Sequence, residues 1–528
     1  MKKNISLVFI AGLVITLFIV FVEKNNVIPN FLFWYDESDY MYAVEQGFLS
    51  NYLDLKAISF ITFVQKGIKS GSKKSNWSSL SKFIRSSNDI TFYRHYHAPL
   101  YFYYLIGANK LAGTNEYSIR WATLFLLLCC SIILFIGIRF LLKNTNWLTV
   151  FYASIALLFS PGAIVTGSQL SPHALYMIFV AATLILFAKF LCTKAIKYWY
   201  LSIALFSLAT ITLEYAPFLF ITIVVCSVLN RKALFNGWQK NQYLKMLLIS
   251  LGIFTGVLFT LWPGGIFKLS ILKNYLFFAY FVIQRGKSYG NESFFDVWFM
   301  RIKESPVEYI IIIFTLVFIV KNIKRLRIAQ PFLIYIILVL AAMISNKSPL
   351  PQYISSLFPP AYILSAIMIH TVTKEKQTDF VRVYLPLGLT ICLFVNSFIF
   401  FSKTASKSKQ VFRDGITHIE RLQDLHGKYG LATFVPRILM PALHYYLKKA
   451  SIIPYSGNEK KSNTLLSKIK TKLDKKKGSI LIPASNMDAH FKNEFEQRFS
   501  ILSVDTVYLS DYYNRMLFYE IQPTNCIR

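Results

Sequence analysis

Long apolar runs separated by short polar breaks fill the first three quarters of the chain. A helix needs about 20 apolar residues to cross the hydrocarbon layer of a bilayer. Runs of that kind fall near residues 4–22, 119–140, 146–164, 172–191, 197–213, 215–230, 243–262, 306–321, 330–345, 352–371 and 380–402. The pattern predicts eleven spans. One further stretch, Ala98 to Leu111, is shorter and rich in tyrosine (Tyr101, Tyr103, Tyr104), with His97 before it and Lys110 within it.

Whether that stretch crosses decides the side of every later loop. Short cytoplasmic loops carry an excess of Lys and Arg. If it does not cross, the loops Arg139–Asn146, Lys189–Lys197, Arg231–Lys245, Lys321–Arg327 and Lys374–Arg382, all basic, share the cytoplasmic side with the N-terminus. Counting it as a span would put all five outside. Residues 98–111 are therefore expected to form a re-entrant or interfacial helix, which suits their length and tyrosines. Met1-Lys2-Lys3 and the apolar run to Val22 are laid out like a signal peptide, but no small-residue cleavage site precedes Glu23-Lys24-Asn25-Asn26, so an uncleaved first span is expected.

Two long outer segments follow from this topology, Glu23 to about Arg120 and Pro263 to about Ser305, together with a polar region from residue 403 onward. That region alternates strand-like runs (Leu431–Val435, Ile480–Ile482, Ile501–Tyr508) with helix-like ones (Arg437–Lys448, Leu465–Leu473, Met487–Phe499), the pattern of a small α/β domain. The expected organisation is an all-α polytopic domain over residues 1–402, with its outer loops at 23–119 and 263–305, and an extracytoplasmic α/β domain over 403–528.

Composition agrees. Of 528 residues 55% are hydrophobic and 16% charged, and the mean hydropathy is +0.45; a soluble globular chain seldom lies this far toward apolar. Lys plus Arg outnumber Asp plus Glu by 57 to 26, for a formal charge of +31. On a soluble domain that surplus would suggest nucleic acid; here much of it is topogenic, and no nucleic-acid partner is expected. From residue 403 onward there are 21 basic against 11 acidic residues, densest at Lys468–Lys477, which reads first as a solvated helix face and second as an anionic-lipid contact. Of the six cysteines, Cys129, Cys130, Cys192, Cys226 and Cys392 lie inside apolar runs and do not build a disulfide framework. No Gly-rich phosphate loop, metal-type Cys pairing, nucleophile elbow or internal repeat is present.

Acidic residues are scarce, so their positions inform. Just after the first span stands Trp34-Tyr35-Asp36-Glu37-Ser38-Asp39-Tyr40, three carboxylates at the membrane face. Such a group can act as a general base, hold a divalent cation, or sit as an ordinary solvated loop. Further on, Tyr93-Arg94-His95-Tyr96-His97 brings a cation and two imidazoles to the mouth of the short helix, a set that suits a metal or a phosphate. Glu37, His95 and His97 are the candidate ligands for a divalent metal ion. In the second outer loop an aromatic run, Tyr275 to Phe281, precedes Arg285 and Lys287 and reads as an interfacial cap or a plain membrane anchor. Glu214, an acid between two spans, is either functional or paired with a neighbouring cation.

In this order the segments resemble the C-type (GT-C fold) membrane glycosyltransferases, more narrowly the protein O-mannosyltransferases and aminoarabinose lipid A transferases that use polyprenyl-phosphate sugars. The resemblance rests on four stretches: Asp36-Glu37 with Tyr42-Ala43; His97-Ala98-Pro99-Leu100-Tyr101 through Gly113 to Arg120; Ser160-Pro161-Gly162 with Ser168-Gln169; and Pro351-Gln352-Tyr353 to Phe358-Pro359-Pro360. It departs where Gln169 and His173 replace the usual Arg and Asp, Gln352 the arginine before Tyr353, and Glu214 a lysine.

The resemblance implies an inverting transfer at the outer membrane face, with a lipid phosphate as leaving group. Asp36 would be the base, Glu37 its orienting partner or a metal ligand, and Asp39 the fallback base. Cations at the outer boundary would steady the phosphate; candidates are Arg94, His97, Arg120, Arg285, Lys287, Arg301 and Lys347, with Tyr353, and the family pattern favours Arg120 and His97. A lipid, glycan or protein acceptor and a bacterial inner membrane location are expected. The rival readings are a polytopic transporter or lipid flippase, which would more often show related halves and midplane polar sites, and a catalytically idle scaffold.

Overall fold

The computed structural model describes residues 2–28, 37, 40, 41, 44, 45, 98–113, 115–236, 239–263, 294–343, 351–376 and 380–403, and five strands of the C-terminal region. The chain divides into two compact units: residues 1–28, 52–84 and 95–405 form one, and residues 29–51, 85–94 and 406–528 the other.

Each of the eleven apolar runs is helical. In chain order the helices of the first unit are α1 (Lys2–Lys24), α2 (Leu100–Ala112), α3 (Glu116–Leu141), α4 (Trp147–Leu158), α5 (Pro161–Gly167), α6 (Pro172–Thr193), α7 (Ile196–Thr210), α8 (Ala216–Leu229), α9 (Arg231–Phe235), α10 (Lys240–Leu261), α11 (Phe294–Glu304), α12 (Pro306–Asn322), α13 (Gln330–Met343), α14 (Phe358–Lys376) and α15 (Phe380–Lys403). Their starts carry the expected signals. Asn115, Asn146, Ser160 and Ser171 accept backbone N–H groups at the ends of α3, α4, α5 and α6, and Pro161, Pro172, Pro217, Pro306 and Pro331 occupy first turns.

Five of these helices are long and apolar enough to cross a membrane unaided, six if α4 and α5 count as one span. That pair bends by 55°, a departure from the single run read over 146–164: Ser160 caps a new helix with Pro161 in its first turn, so the ladder of α4 cannot continue. Helices α7 and α8 have 15 and 14 residues. At about 1.5 Å per residue they are shorter than the roughly 30 Å hydrocarbon core. Helix α14 is largely buried, whereas α10 and α15 expose most of their residues. The first unit is thus a bundle with α6 and α14 inside and α10 and α15 on its surface.

Hydrogen bonds between loops fix the parity of the spans. At one end Asn146 Nδ2 donates to the Arg382 carbonyl at 2.8 Å, Thr145 Oγ1 lies 3.3 Å from His370 Nδ1, Asn230 Nδ2 donates to Gln330 Oε1 at 2.8 Å, and Lys189 Nζ donates to the Phe140 carbonyl. These contacts gather the basic loops at a single end. The short helix α2 lies at the other end. Its Leu100 N–H donates to the Ile211 carbonyl at 3.1 Å and its Tyr103 hydroxyl to the Leu261 carbonyl at 3.0 Å, while Tyr104 bonds the Ala122 carbonyl. This 13-residue helix is tied to that end of α3, α7 and α10, and at about 1.5 Å per residue it is shorter than the hydrocarbon core.

The second unit holds a five-stranded sheet, β1 (Ala432–Pro436), β2 (Ser451–Tyr455), β3 (Ile480–Pro483), β4 (Phe499–Val507) and β5 (Met516–Pro523), in the order β2-β1-β3-β5-β4. Strand β1 pairs parallel with β2 and with β3; β5 runs antiparallel to β3 and β4, and the β4 register shifts between Ile501 and Ser503. Three strands match the runs read from sequence. Strand β2 did not stand out because Pro454 interrupts it, and proline is tolerated here since β2 is an edge strand. The helix-like runs 437–448, 465–473 and 487–499 lie outside the described residues.

In a cysteine-free background, single cysteines replacing Lys24 and Asn115 are expected to react with an impermeant thiol reagent from the same face of sealed vesicles, and one replacing Lys143 from the opposite face. Labelling of the first two from opposite faces would make α2 a span.

Candidate functional site

The end of the bundle that carries α2 also collects the unusual polar residues of the first unit. Ser171 caps α6 and sets His173 in its first turn, where the imidazole packs edge-on against Tyr215 at 5.5 Å and Tyr353 at 5.8 Å. Tyr215 precedes α8, and Tyr353 belongs to the 3-10 turn Pro351–Leu357 ahead of α14. Their sequence neighbours Glu214 and Gln352 are buried with them. Positions 173, 214 and 352 therefore meet around one ring cluster. Ala98 is fully buried, and the Leu100–Ile211 hydrogen bond brings the chain just after His97 beside the turn bearing Glu214 and Tyr215. Arg120, in the second turn of α3 at this same end, is completely buried. A guanidinium held out of water acts as a strong fixed charge.

Of the other residues singled out, Glu37 is described and buried, with 1% of its surface exposed, in the second unit. Asp36, Asp39, Arg94, His95, His97, Arg285, Lys287 and Lys347 lie outside the described residues, as does the aromatic run 275–281. Among the described residues no three His, Cys, Asp or Glu side chains gather as a metal site.

Arg301 is buried on α11, an amphipathic helix whose Phe295 and Phe299 are 79% and 71% exposed. Its guanidinium lies over Trp298 and bonds Tyr309, while Trp298 also meets the Tyr309 ring edge-on at 5.9 Å. Burial pushes the Arg301 guanidinium below its ordinary range and the Glu304 carboxyl above it; Tyr309 and Glu304 pull the arginine back up. The helix presents phenylalanines outward and folds its arginine inward, as an interfacial helix does.

Beside it is a polar centre that the sequence reading missed. Glu308, fully buried in the first turn of α12, accepts hydrogen bonds from Tyr362 Oη at 2.9 Å, from Ser305 Oγ at 3.1 Å, from Ser160 Oγ and from the Gly162 backbone amide. Asn396 Nδ2 donates to Ser305 Oγ at 2.9 Å, and Ser397 Oγ bonds the Phe159 carbonyl. One carboxylate thus ties the α4–α5 break, α12, α14 and, through Ser305, α15. Phe159 packs against Phe21 at 5.3 Å and Phe394 at 5.0 Å and covers this centre with rings. Gly162 is required by close approach: a Cβ there would stand 2.3 Å from the Phe358 ring. The available signal was Ser305-Pro306-Val307-Glu308, a Ser-x-x-Glu helix start with proline in the first turn.

Replacing Glu308 by Ala leaves several buried donors without their acceptor and is expected to lower stability by about 3–5 kcal/mol, seen as a large fall in detergent-solubilised melting temperature. Glu308→Gln, which keeps an acceptor oxygen, should lose distinctly less. Equal, small losses in both variants would remove Glu308 from its structural role.

Residues 96–262 match the family model described as dolichyl-phosphate-mannose-protein mannosyltransferase. Among curated proteins none matches the chain. Among solved structures the chain is similar to ArnT from Cupriavidus metallidurans bound to undecaprenyl phosphate, with a TM-score of 0.62 at 13% identity over 96% of this chain and 97% of that one. The apo state of the same protein matches with a TM-score of 0.62 at 13% identity, over 98% of each chain. The likeness runs the length of both molecules, and the fold expected from the four motifs is the fold observed. The chain is a membrane protein with the fold of ArnT, and over residues 96–262 it matches the mannosyltransferase family model.

Proposed function

We propose that this protein transfers a sugar from a polyprenyl-phosphate donor to an acceptor hydroxyl at the outer face of a membrane, in one inverting displacement. The observation that carries the reading is the end-to-end fold likeness to a protein crystallised with undecaprenyl phosphate. The mannosyltransferase match over residues 96–262 adds to it. Sugar nucleotides stay in the cytoplasm, so chemistry on the far side of a membrane needs a donor carried across on a lipid.

In the proposed step Asp36 takes the proton of the acceptor hydroxyl. The acceptor oxygen bonds to the anomeric carbon as that carbon's bond to the phosphate oxygen breaks, and the polyprenyl phosphate leaves with the electron pair. Glu37 orients Asp36, and Asp39 is the alternative base. Arg120 and His97 would balance the charge developing on the phosphate, and Arg94, Arg285, Lys287, Lys347 and Tyr353 are further donor contacts. If the reaction uses a divalent cation, Glu37, His95 and His97 are its candidate ligands, and the cation would add charge at the phosphate. The basic loops gathered at one end of the bundle support a cytoplasmic placement of that end, which leaves α2, Arg120 and the His173 cluster outside. A bacterial inner membrane is the proposed location.

Purified protein in detergent, given a labelled polyprenyl-phosphate sugar and membrane-extracted acceptors, is expected to form a labelled product. Asp36→Asn should slow transfer by about a hundredfold or more, the usual worth of a general base, while donor affinity stays near that of the unaltered protein. Unchanged rates would take Asp36 out of the mechanism. Movement of the lipid across vesicles without any transfer would favour the flippase reading.

A further inference from the structure

The opposite end of the bundle holds a cavity of about 560 Å³ lined by Arg231, Lys232, Phe235, Asn236 and Tyr243. It lies between α9 and the start of α10, and it has no part in the proposed transfer. Leu234, 4% exposed, anchors α9 to the bundle and leaves Arg231 and Lys232 on the open side. The Tyr243 ring lies tilted against Phe235, centroids 5.2 Å apart, and its hydroxyl donates to the Phe235 carbonyl at 3.3 Å. Two cations and an amide over an aromatic floor make a receptor for an anionic group of headgroup size.

What lies next to the cavity decides the ligand. Helix α7 packs between two neighbours, Phe206 against Phe220 of α8 at 6.0 Å and against Phe254 of α10 at 5.6 Å. On α8, Val224, Val228 and Leu229 are exposed, and on α10 Leu244, Leu248 and Leu251 are. Leu201 of α7 is exposed as well. The three helices form an apolar wall, and α9 follows α8 after Asn230 alone, so the cationic cavity sits at the end of that wall. A phosphate with acyl chains attached satisfies both parts at once; a free anion satisfies only the cavity. Arg231 and Lys232 come just after the end of α8, and long basic side chains at the end of a span reach toward the headgroups.

We infer that this cavity binds the headgroup of an anionic glycerophospholipid from the leaflet at the basic end of the bundle, with its acyl chains along α8 and α10. The inference stands apart from the transferase reading. It gives the positive charge of the Arg231–Lys245 loop a specific ligand in addition to its topogenic role.

The test is native mass spectrometry of the full chain released from mixed micelles of phosphatidylglycerol and phosphatidylcholine. Phosphatidylglycerol is expected to stay bound to the unaltered protein where phosphatidylcholine is lost. The double variant R231Q/K232Q should weaken that retention by about thirtyfold, the equivalent of about 2 kcal/mol for two basic residues at a membrane surface. Charge removal elsewhere at the same end, K143Q/K374Q, should leave it unchanged. Equal retention of the two lipids by the unaltered protein overturns the inference whether or not the variants can be purified. So does an equal loss in both double variants, or displacement of the lipid by millimolar inorganic phosphate, which would mark a simple anion site.

Discussion

The buried carboxylate of Glu308 is the constraint on which the arrangement of the spans most depends. A carboxyl group in the low-dielectric interior of a membrane protein is tolerated only when hydrogen-bond partners surround it. Here they come from Ser160, Ser305, Tyr362 and the Gly162 amide, positions on three separate helical segments. Those partners can meet only if the α4–α5 break, the start of α12 and the upper part of α14 lie at one depth and one end. Asn396 adds α15 to the same level. A single acid therefore fixes the relative heights of four spans, and the loop contacts at the opposite end agree with it.

The break at Phe159–Ser160 is part of the same design. Had α4 continued straight, Ser160 would have pointed along an ordinary helix face; the 55° bend frees its hydroxyl and the Gly162 amide to face Glu308. Glycine at 162 lets Phe358 approach and brings the start of α14 against the bend. That start is the 3-10 turn holding Gln352 and Tyr353, so the position of the His173 ring cluster follows from packing around the break. The same α12 start also carries α11, joined to it through Ser305 alone, and Tyr309 holds Arg301 and Trp298 across that joint. Structural polar contacts and candidate chemistry share one end because the bent span and the acid beside it build that end.

Much of this was legible in the sequence, and the reasons differ by element. The spans could be read because apolar composition is a necessary condition for a helix in lipid. The short helix α2 could be read from its apolar run and its tyrosines; Tyr103 and Tyr104 proved to be the side chains that tie it down. The bend in the third span was hidden because hydropathy stays high through Pro161, although Ser160-Pro161 is a helix-start signal. Glu308 was not legible as a centre, since Ser160 and Tyr362 are 148 and 54 residues away from it. Strand β2 was masked by Pro454, and only its edge position in the sheet explains why that residue is accepted there.

The residues at 173, 214 and 352 make physical sense when taken together. A buried aspartate at position 173 would need a cation near it, because an isolated charge out of water costs several kcal/mol. The histidine found there packs edge-on against Tyr215 and Tyr353 instead, with Glu214 and Gln352 buried beside those rings. Glu214, in the turn beside Tyr215, adds a buried acid to this cluster. Under the proposed reaction this shifts the work of steadying the departing phosphate away from that cluster and onto cations elsewhere at the same end. Arg120 at the same end is completely buried, and a desolvated arginine gains electrostatic strength from the same low dielectric that makes its isolation costly.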